Sequence, residues 1–490
     1  MTYSVIKYTS ERSERSERLS AAELDGATPS DPREEKKKIS IRSKNNMQSL
    51  LPTNKHIKTF GSRMESGVKP GSDRYDVYTR TLNTENWGGR RVDFQVTNTS
   101  LNKLIVGSKC YLNFRCTASK SDDSAIGAAD PIELREGAGN LFVTKADVRV
   151  AGTTVFCDGF NDITRHWYER LANTNEVRSG GSEEDRFITS DESVFGVAAN
   201  TVIGSGIRKE AISEGKEFSI TRPLTEMAFF GPRDSAIPAS LPIVLNTTLN
   251  SRPARLFNTD NTIVAAPKLK IIDVELYVYT VELEDAFAEQ IKDALRLGTL
   301  SAVTDKWAST TLGNEVTAGN TSYRSSDSTL IETVPDVLGV AFLPTDSYNS
   351  ATPWKGVHPL TTDWLNTNCI DIQAYGCSWR CYRNLGSNAD VGSKAVLSRE
   401  LKEVAGGDTM VGSGRSPINT NVFSRGVLSF FPAVSRSIDE ETVVPPKPIS
   451  LTFHNVMSPN AGKQAQGHVF YKLRHQWNLS TEVGQTMIVK

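Results

Sequence analysis

The sequence predicts an all-β protein built from two similar sandwiches in tandem, preceded by a flexible arm. Three observations support this fold class. The chain has 490 residues, which is long for one core and suits two domains of roughly 200 residues each. Apolar and polar residues alternate over many short runs, a pattern typical of half-buried strands. The same series of elements also occurs twice along the chain.

The overall charge and composition argue against several function classes. The chain has 56 Lys and Arg residues against 57 Asp and Glu residues, so it lacks the basic excess of a dedicated nucleic-acid-binding protein. No apolar run approaches the roughly 20 residues that span a bilayer, and the polar N-terminus lacks the apolar segment of a signal peptide. We therefore expect a soluble protein made in the cytosol, with its six cysteines reduced in the core.

Residues 1–70 are predicted to form a flexible arm. This segment contains a Glu-Arg-Ser repeat at residues 11–18 and a basic run at residues 36–38, with few apolar residues. Such a composition cannot bury enough apolar surface to offset the loss of backbone entropy on folding. A modest excess of basic residues is compatible with a weak contact to a nucleic-acid genome, although solvated charge alone explains such an excess more often.

The first sandwich is predicted to cover residues 71–284. Its strands are expected at the alternating runs 92–96, 110–116, 241–245 and 272–278. Residues 146–155 alternate on both sides of Ala151 and Gly152, which predicts a hairpin whose glycine adopts a positive φ. A helix is expected directly afterwards, with an apolar stripe of Phe160, Ile163, Trp167 and Leu171 and an opposite polar face of Asp162, Arg165 and Glu169.

A second helix is predicted at residues 285–297, with Gly298 just beyond its end as the terminating glycine. Phe287, Ile291 and Leu295 form a stripe only one face wide, so this helix should pack on a surface and hold one sandwich at a fixed angle to the other. The following residues, up to 328, are rich in Thr, Ser, Asn and Gly, which is typical of a loop. Residues 285–328 are therefore interpreted as a helix and linker.

The second sandwich, residues 329–490, repeats the order of elements of the first. The hairpin at residues 370–379 aligns with that at 146–155, which places Val148 and Ile372 at matching inward positions. The other matching features are helical stretches after each hairpin (the second with Leu397, Leu401 and Val404), the pairs Phe229-Phe230 and Phe430-Phe431, strands led by Pro242 and Pro448, and the long last strands at 272–278 and 469–477. Because the order is shared, the sequence predicts a duplicated eight-stranded sandwich.

Three stretches carry a resemblance to a known family. Residues 143–171, 227–249 and 335–350, the last leading into 370–382, resemble the double jelly-roll major capsid proteins of Polinton or Maverick elements, adintoviruses and Polinton-like viruses. These are similar in architecture to adenovirus hexon and virophage capsid proteins. The resemblance implies two tandem eight-stranded jelly rolls with short inserted helices, in a subunit that forms homotrimers and tiles an icosahedral shell.

The resemblance also implies partners and a location. The partners would be other copies of the same chain and a penton or minor capsid protein, and the location would be the capsid of the virion, after synthesis in the host cytoplasm. The alternative function is a carbohydrate-binding or adhesin-like sandwich, which would use exposed aromatic and carboxylate side chains. A trimeric state would favour the capsid subunit over the adhesin.

No catalytic residue, cofactor site or metal site is predicted, so we expect that the chain is not an enzyme. The six histidines lack a metal-binding spacing such as H-E-x-x-H, and no G-x-S-x-G motif presents a serine nucleophile. His166 is interpreted as a packed or surface residue. Cys377 and Cys381 lie on a predicted strand without a second cysteine pair, which does not favour zinc. A glycosidase is not supported, because no carboxylate pair is defined.

Overall fold

The computed structural model describes residues 67–97, 100, 102–134, 137–172, 206–231, 236–259, 265–298, 300–316, 322–324, 329–331, 335, 337–344, 365–374, 377–383, 429–430, 449–459, 465–479 and 488–489. These residues all belong to the contact unit formed by residues 52–490. Residues 1–66, which include most of the predicted arm, lie outside the described residues, as does the helical stretch predicted around Leu401.

The strands are numbered in chain order. They are β1 (Arg74–Thr84), β2 (Arg91–Val96), β3 (Lys103–Val106), β4 (Tyr111–Ser119), β5 (Ile132–Leu134), β6 (Val143–Val150), β7 (Thr153–Asp158), β8 (Glu217–Pro223), β9 (Ala236–Pro238), β10 (Ile243–Leu249), β11 (Phe257–Thr259), β12 (Lys268–Glu282), β13 (Leu300–Val316), β14 (Ser322–Arg324), β15 (Thr329–Ile331), β16 (Val337–Pro344), β17 (Leu365–Ala374), β18 (Cys377–Arg383), β19 (Ser429–Phe430), β20 (Ile449–Pro459), β21 (Ala465–Leu479) and β22 (Ile488–Val489).

The α-helices of the described residues are short. They are α1 (Ala138–Leu141), α2 (Asn161–Ala172), α3 (Gly206–Ala211) and α4 (Asp285–Arg296), and there are 3-10 turns at Gly107–Lys109, Ser213–Gly215 and Pro253–Leu256. Among the described residues, no helix is long and apolar enough to cross a membrane. The helices α2 and α4 lie where the sequence predicts helices.

The two sandwiches share one strand order. The first has a sheet β1-β12-β4-β8, extended by β3 and β9, which faces a sheet β2-β10-β6-β7, while β5 pairs separately with β11. The second has β13-β21-β16-β19, extended by β22, and β20-β17-β18 with β14 and β15 both paired to β20. The sheet order β1-β12-β4-β8 of the first half therefore matches the order β13-β21-β16-β19 of the second. This arrangement is the jelly-roll topology, and the predicted double jelly roll is confirmed.

The core of the first jelly roll forms between the inner faces of its two sheets. Alternate residues of β2 and β4 are buried, as the period-two pattern predicts. The ring of Phe114 on β4 stacks on Phe142, which precedes β6, with 4.3 Å between the ring centres. Trp87 also stacks on Phe142, at 5.7 Å, and its Nε1 donates a 2.8 Å hydrogen bond to the carbonyl of Leu269. Stacked aromatic rings thus fill the space between the sheets.

The long strand β12 departs from the predicted alternation at its start. A bulge between Ile271 and Asp273 shifts the register, so Ile271 is buried and Ile272, predicted to face the core, is only half-buried. Asp273 consequently reaches Arg115 on β4, at 2.8 Å. From Val274 onwards the predicted alternation is confirmed. Alternation alone cannot locate the one residue that a bulge inserts.

The two matching hairpins pair in the same register. Gly152 has a φ of 89° in the first turn, as predicted. Counted from the turn, each hairpin has a bulge at the same place, between Val148 and Arg149 in β6 and between Ile372 and Gln373 in β17. Val148 and Ile372 therefore occupy matching register positions. Val148 is buried, whereas the side chain of Ile372 lies outside the described residues.

Two predicted boundaries differ from the structure. The loop predicted after Gly298 is wrong, because residues 300–316 form β13, which pairs with β21 along most of its length. Its threonines favour strands as well as loops, so composition misled the prediction. Residues 67–70, assigned to the arm, are bound to the first jelly roll: the amide of Lys69 donates to the carbonyl of Glu282 at 2.9 Å.

The helix α4 confirms the predicted helix and its termination. Gly298 has a φ of 63°, and its amide donates to the carbonyl of Leu295 at 3.1 Å. Ile291 and Leu295 are buried, and Phe287 is half-buried. The apolar cluster that contains them continues to Trp477 of β21 in the second jelly roll. The stripe therefore packs on a surface that includes residues of both halves.

Gly107, between β3 and β4, is packed too tightly to accept a side chain. A Cβ atom there would overlap the carbonyl oxygen of Phe229, a buried residue with a φ of 69°. We expect Gly107→Ala to lower the free energy of unfolding by about 1 to 3 kcal/mol, measured by denaturant titration. Gly159→Ala is the control, because nothing lies within 4 Å of the added atom. Equal midpoints for the two variants would contradict this packing.

Candidate functional site

The helix α2 of the first jelly roll lies against the second jelly roll. Phe160, Thr164 and Tyr168 are spaced four residues apart and so lie in one row along the helix; we call them the docking row. The contacts of this row are a 2.7 Å hydrogen bond between the hydroxyls of Thr164 and Ser309, an edge-on ring contact of Tyr168 with Trp307 at 5.3 Å, and one of Phe160 with His468 at 5.5 Å. The docking row thus joins the two halves of the chain.

The surface that receives the docking row is the outer face of the sheet β13-β21-β16-β19. Trp307 of β13 stacks on Phe470 of β21, with 5.2 Å between ring centres. Lys472 lies beside Trp307, with its Nζ 5.6 Å from the ring centre and 2.9 Å from the carboxylate of Asp305. Residues of the opposite parity on β21, such as Val469, face the interior. The outer face is therefore almost as buried as the inner one.

Glu226, which follows β8, connects both halves through buried hydrogen bonds. Its carboxylate accepts from Arg165 of α2 and from Arg222 of β8, each at 2.8 Å, and all three side chains are at most 1% exposed. Its backbone carbonyl accepts from the amide of Trp307 in the second jelly roll at 3.2 Å. Burial alone would raise the pKa of Glu226, but the charges of Arg222 and Arg165 outweigh burial and hold it below its ordinary value.

Further polar side chains complete this cluster. Arg165 also donates to the hydroxyl of Thr225 at 2.8 Å and to Asn140 at 3.3 Å. Asn161 accepts from Arg222, and donates to Glu226 and to Asp158 at 3.4 Å each. Both arginines therefore donate to the carboxylate of Glu226, and a shift of α2 relative to β8 would separate charges that water cannot reach.

Asp158, the last residue of β7, is the titratable group closest to the second jelly roll in this cluster. Its carboxylate accepts from the amides of Phe160, at 3.0 Å, and Ser309, at 3.3 Å. Burial raises its pKa from 3.8 to about 6, against hydrogen bonds from Thr164, Phe160, Ser309 and Asn161 that oppose the rise. The junction therefore contains a carboxyl group that changes its charge near neutral pH.

A second ion pair lies near the other end of the junction. Asp162 of α2 and Arg255 are 3.4 Å apart and buried. Burial raises the pKa of Asp162, and Arg255 opposes this rise. Burial, assisted by the charge of Arg255, lowers the pKa of His468 to about 3. His468 is consequently neutral where it meets Phe160.

The predicted polar face of α2 is buried at Asp162 and Arg165. The sequence assigns Asp162 and Arg165 to a polar face of the kind that usually meets solvent, yet they are 0% and 1% exposed. Ile163, of the predicted apolar stripe, is buried as expected. The helix is buried on its polar side because the charges there find partners in Glu226 and Arg255, which come from distant parts of the chain.

The other sequence-predicted features take separate places. Cys377 and Cys381 lie on β18, as predicted. Cys110 and Cys116 are buried free thiols, but Cys157 is exposed and so is not the core residue we expected. The side chain of His166 lies outside the described residues. Within the described part of the chain, no group of His, Cys, Asp and Glu side chains could hold a metal ion.

The duplicated topology and its buried junction define a double jelly-roll protein. No protein-family model matches the sequence, and no curated protein sequence matches it. Solved structures, however, are similar to it.

Three of these structures come from viruses and a virophage. A chain of the Sputnik virophage structure aligns over 87% of this chain and 89% of its own, with a TM-score of 0.56 and 12% identity. A chain of the PBCV-1 virus capsid aligns over 84% and 96%, with a TM-score of 0.50 and 11% identity. The mavirus major capsid protein aligns over 86% and 91%, with a TM-score of 0.49 and 11% identity. At such identities the likeness to the first two shows the fold.

We expect Glu226→Gln to destabilise the protein by about 3 to 5 kcal/mol, because it leaves Arg165 and Arg222 buried with too little negative charge. The free energy of unfolding from denaturant titration measures this. Glu214→Gln, which removes an exposed ion pair with Lys216, should leave stability unchanged. If both variants behaved alike, the network would not hold the junction.

The pH dependence of stability should reveal Asp158. Because its folded pKa, about 6, exceeds 3.8, the folded state retains a proton that the unfolded chain has lost. The contribution of Asp158 to the free energy of unfolding is complete below about pH 4 and is lost as the pH rises through 6. The loss is on the order of 3 kcal/mol in total. Denaturant midpoints should therefore fall between about pH 4 and 6 in the wild type, and those of Asp158→Asn should fall less. Equal slopes would show that Asp158 does not titrate in this range.

Proposed function

We propose that this protein is a structural major capsid protein that forms homotrimers and tiles an icosahedral viral shell. The observation that carries the proposal is the duplication itself: one chain holds two jelly rolls of the same strand order, locked together by a buried junction. Three such chains around a threefold axis present six near-equivalent corners, so each trimer can contact six neighbours in a shell. The likeness to the PBCV-1 capsid and to the Sputnik virophage supports this function.

The sequence supports finer parts of the proposal. Residues 143–171, 227–249 and 335–350 resemble Polinton, Maverick and adintovirus capsid proteins, so we place the virus among these elements. We also propose that the N-terminal arm makes a weak genome contact, that residues 67–284 and 300–490 are the two jelly rolls joined by α4, and that a penton or minor capsid protein completes the shell. The role is structural and not enzymatic, and the protein is located in the virion after synthesis in the host cytoplasm.

We expect the purified protein to be a trimer of about 160 kDa, three times the chain mass of 53.8 kDa. Multi-angle light scattering after size exclusion measures this mass, and electron microscopy should show particles with a six-cornered outline. A carbohydrate-binding sandwich would have no need of this assembly. A protein that stayed monomeric at every concentration, without any such particle, would contradict the proposal.

A further inference from the structure

The first jelly roll caps one edge of β13. In the described part of the chain, β13 is the edge strand of its sheet, with β21 beside it. The amides of Trp307 and Ser309 lie two residues apart and so point to the same edge of the strand. They donate to the backbone carbonyl of Glu226 at 3.2 Å and to the carboxylate of Asp158 at 3.3 Å. The side chain of Asp158 therefore takes the place that a carbonyl of a neighbouring strand would take.

Within the described residues, the partners of Asp158 are uncharged hydrogen-bond donors. They are the amides of Phe160 and Ser309, the side-chain amide of Asn161 and the hydroxyl of Thr164. Asp158 is 3% exposed, so water does not stabilise its charge. A buried carboxyl group without a paired cation favours its neutral form. This arrangement explains why burial raises the pKa of Asp158 to about 6 in spite of its four donors.

The hydroxyl of Thr164 allows the junction to hold a proton. It is hydrogen-bonded to Asp158 and lies 2.7 Å from the hydroxyl of Ser309, and a hydroxyl can both donate and accept. When Asp158 is ionised, Thr164 donates to it and Ser309 donates to Thr164. When Asp158 is protonated, it donates to Thr164, which donates to Ser309. The row of hydrogen bonds between the two jelly rolls is thus complete in both states.

The other charged groups packed around the junction are paired with one another. The pairs, which come from α2, β8 and the turn after it, the 3-10 turn at 253–256, β13 and β21, are Arg165 and Arg222 with Glu226, Asp162 with Arg255, and Asp305 with Lys472. His468 of β21 is neutral, because burial lowers its pKa to about 3. Burial raises the pKa of Asp162 as well, but Asp162 and Arg255 both belong to the first jelly roll, so opening the junction does not part them.

We propose that the junction is a proton-dependent latch: in mildly acidic solution, closing it takes up a proton at Asp158, and opening it releases that proton to water. When α2 leaves β13, Asp158 becomes hydrated and loses the surroundings that favour its neutral form. By linkage, the closed junction is most stable below about pH 4 and opens more readily as the pH rises towards 6. The inference goes beyond the proposed function, because it concerns the single chain and holds in any state of assembly.

Hydrogen exchange of the amides of Trp307 and Ser309 measures the opening, because both donate across the junction. After correction for the pH dependence of intrinsic exchange, their protection factors should fall at least tenfold between about pH 4.5 and 7. Mass spectrometry with fragmentation to single residues reads both amides in the full chain. The amides of β12, which exchange when the whole sandwich unfolds, should stay more protected at every pH.

Asp158→Asn keeps the size of the side chain but cannot take up the proton. In this variant the protection of Trp307 and Ser309 should not change with pH. Asp122→Asn is the matched control, because Asp122 accepts hydrogen bonds from Ser124 in a loop away from the junction. It should keep the pH dependence of the wild type.

Three results would overturn the latch. They are a wild-type protection that is constant with pH, a pH dependence that survives in Asp158→Asn, and junction amides that exchange together with those of β12. The first and third need no variant, so they decide the matter even where Asp158→Asn does not fold. All three leave the proposed function in place, because the mass of the particle tests that function separately.

Discussion

The carboxylate of Glu226 is the point on which the relation between the two jelly rolls depends. It neutralises Arg165 of α2 and Arg222 of β8, while its backbone carbonyl binds the amide of Trp307 in β13. Removing two guanidinium groups from water costs several kcal/mol each unless opposite charges lie in hydrogen-bonding geometry. These ion pairs therefore fix the position of α2 more narrowly than apolar packing alone would. The docking row lies along α2, so its position is fixed in the same way.

The duplicated halves use one topology for different purposes. In the first half β12 lies between β1 and β4, and in the second half β21 lies between β13 and β16, so each half has its own core. The outer faces of the corresponding sheets, however, have diverged: β13 and β21 present Trp307 and Phe470 to the first half, whereas β1 and β12 present tyrosines to solvent. The repeat therefore explains the shared strand order, and the two halves differ in the side chains on these outer faces.

The fold could be predicted from the sequence because it depends on local patterns. Alternation located β2 and β4, the turn at Gly152 located the hairpin, and Gly298 located the end of α4. The junction could not be predicted, because Thr225 and Glu226 are separated from Arg165 by about 60 residues and become its neighbours only in the folded chain. Charged residues on a helix are usually solvated, so the sequence around Arg165 did not indicate that its side chain is buried. The bulge at Ile272 was missed because alternation cannot locate one inserted residue, and β13 was missed because its composition resembles that of a loop.

Because α2 and the sheet that it covers belong to one chain, their contact persists in dilute protein. Their encounter is intramolecular, so the effective concentration of one for the other is of millimolar order whatever the concentration of the protein. A single chain released into a large volume therefore keeps this contact, and its two jelly rolls move as one unit. Any contact between chains, in contrast, follows mass action and weakens on dilution. A chain that met another copy would therefore do so with its internal angle already set.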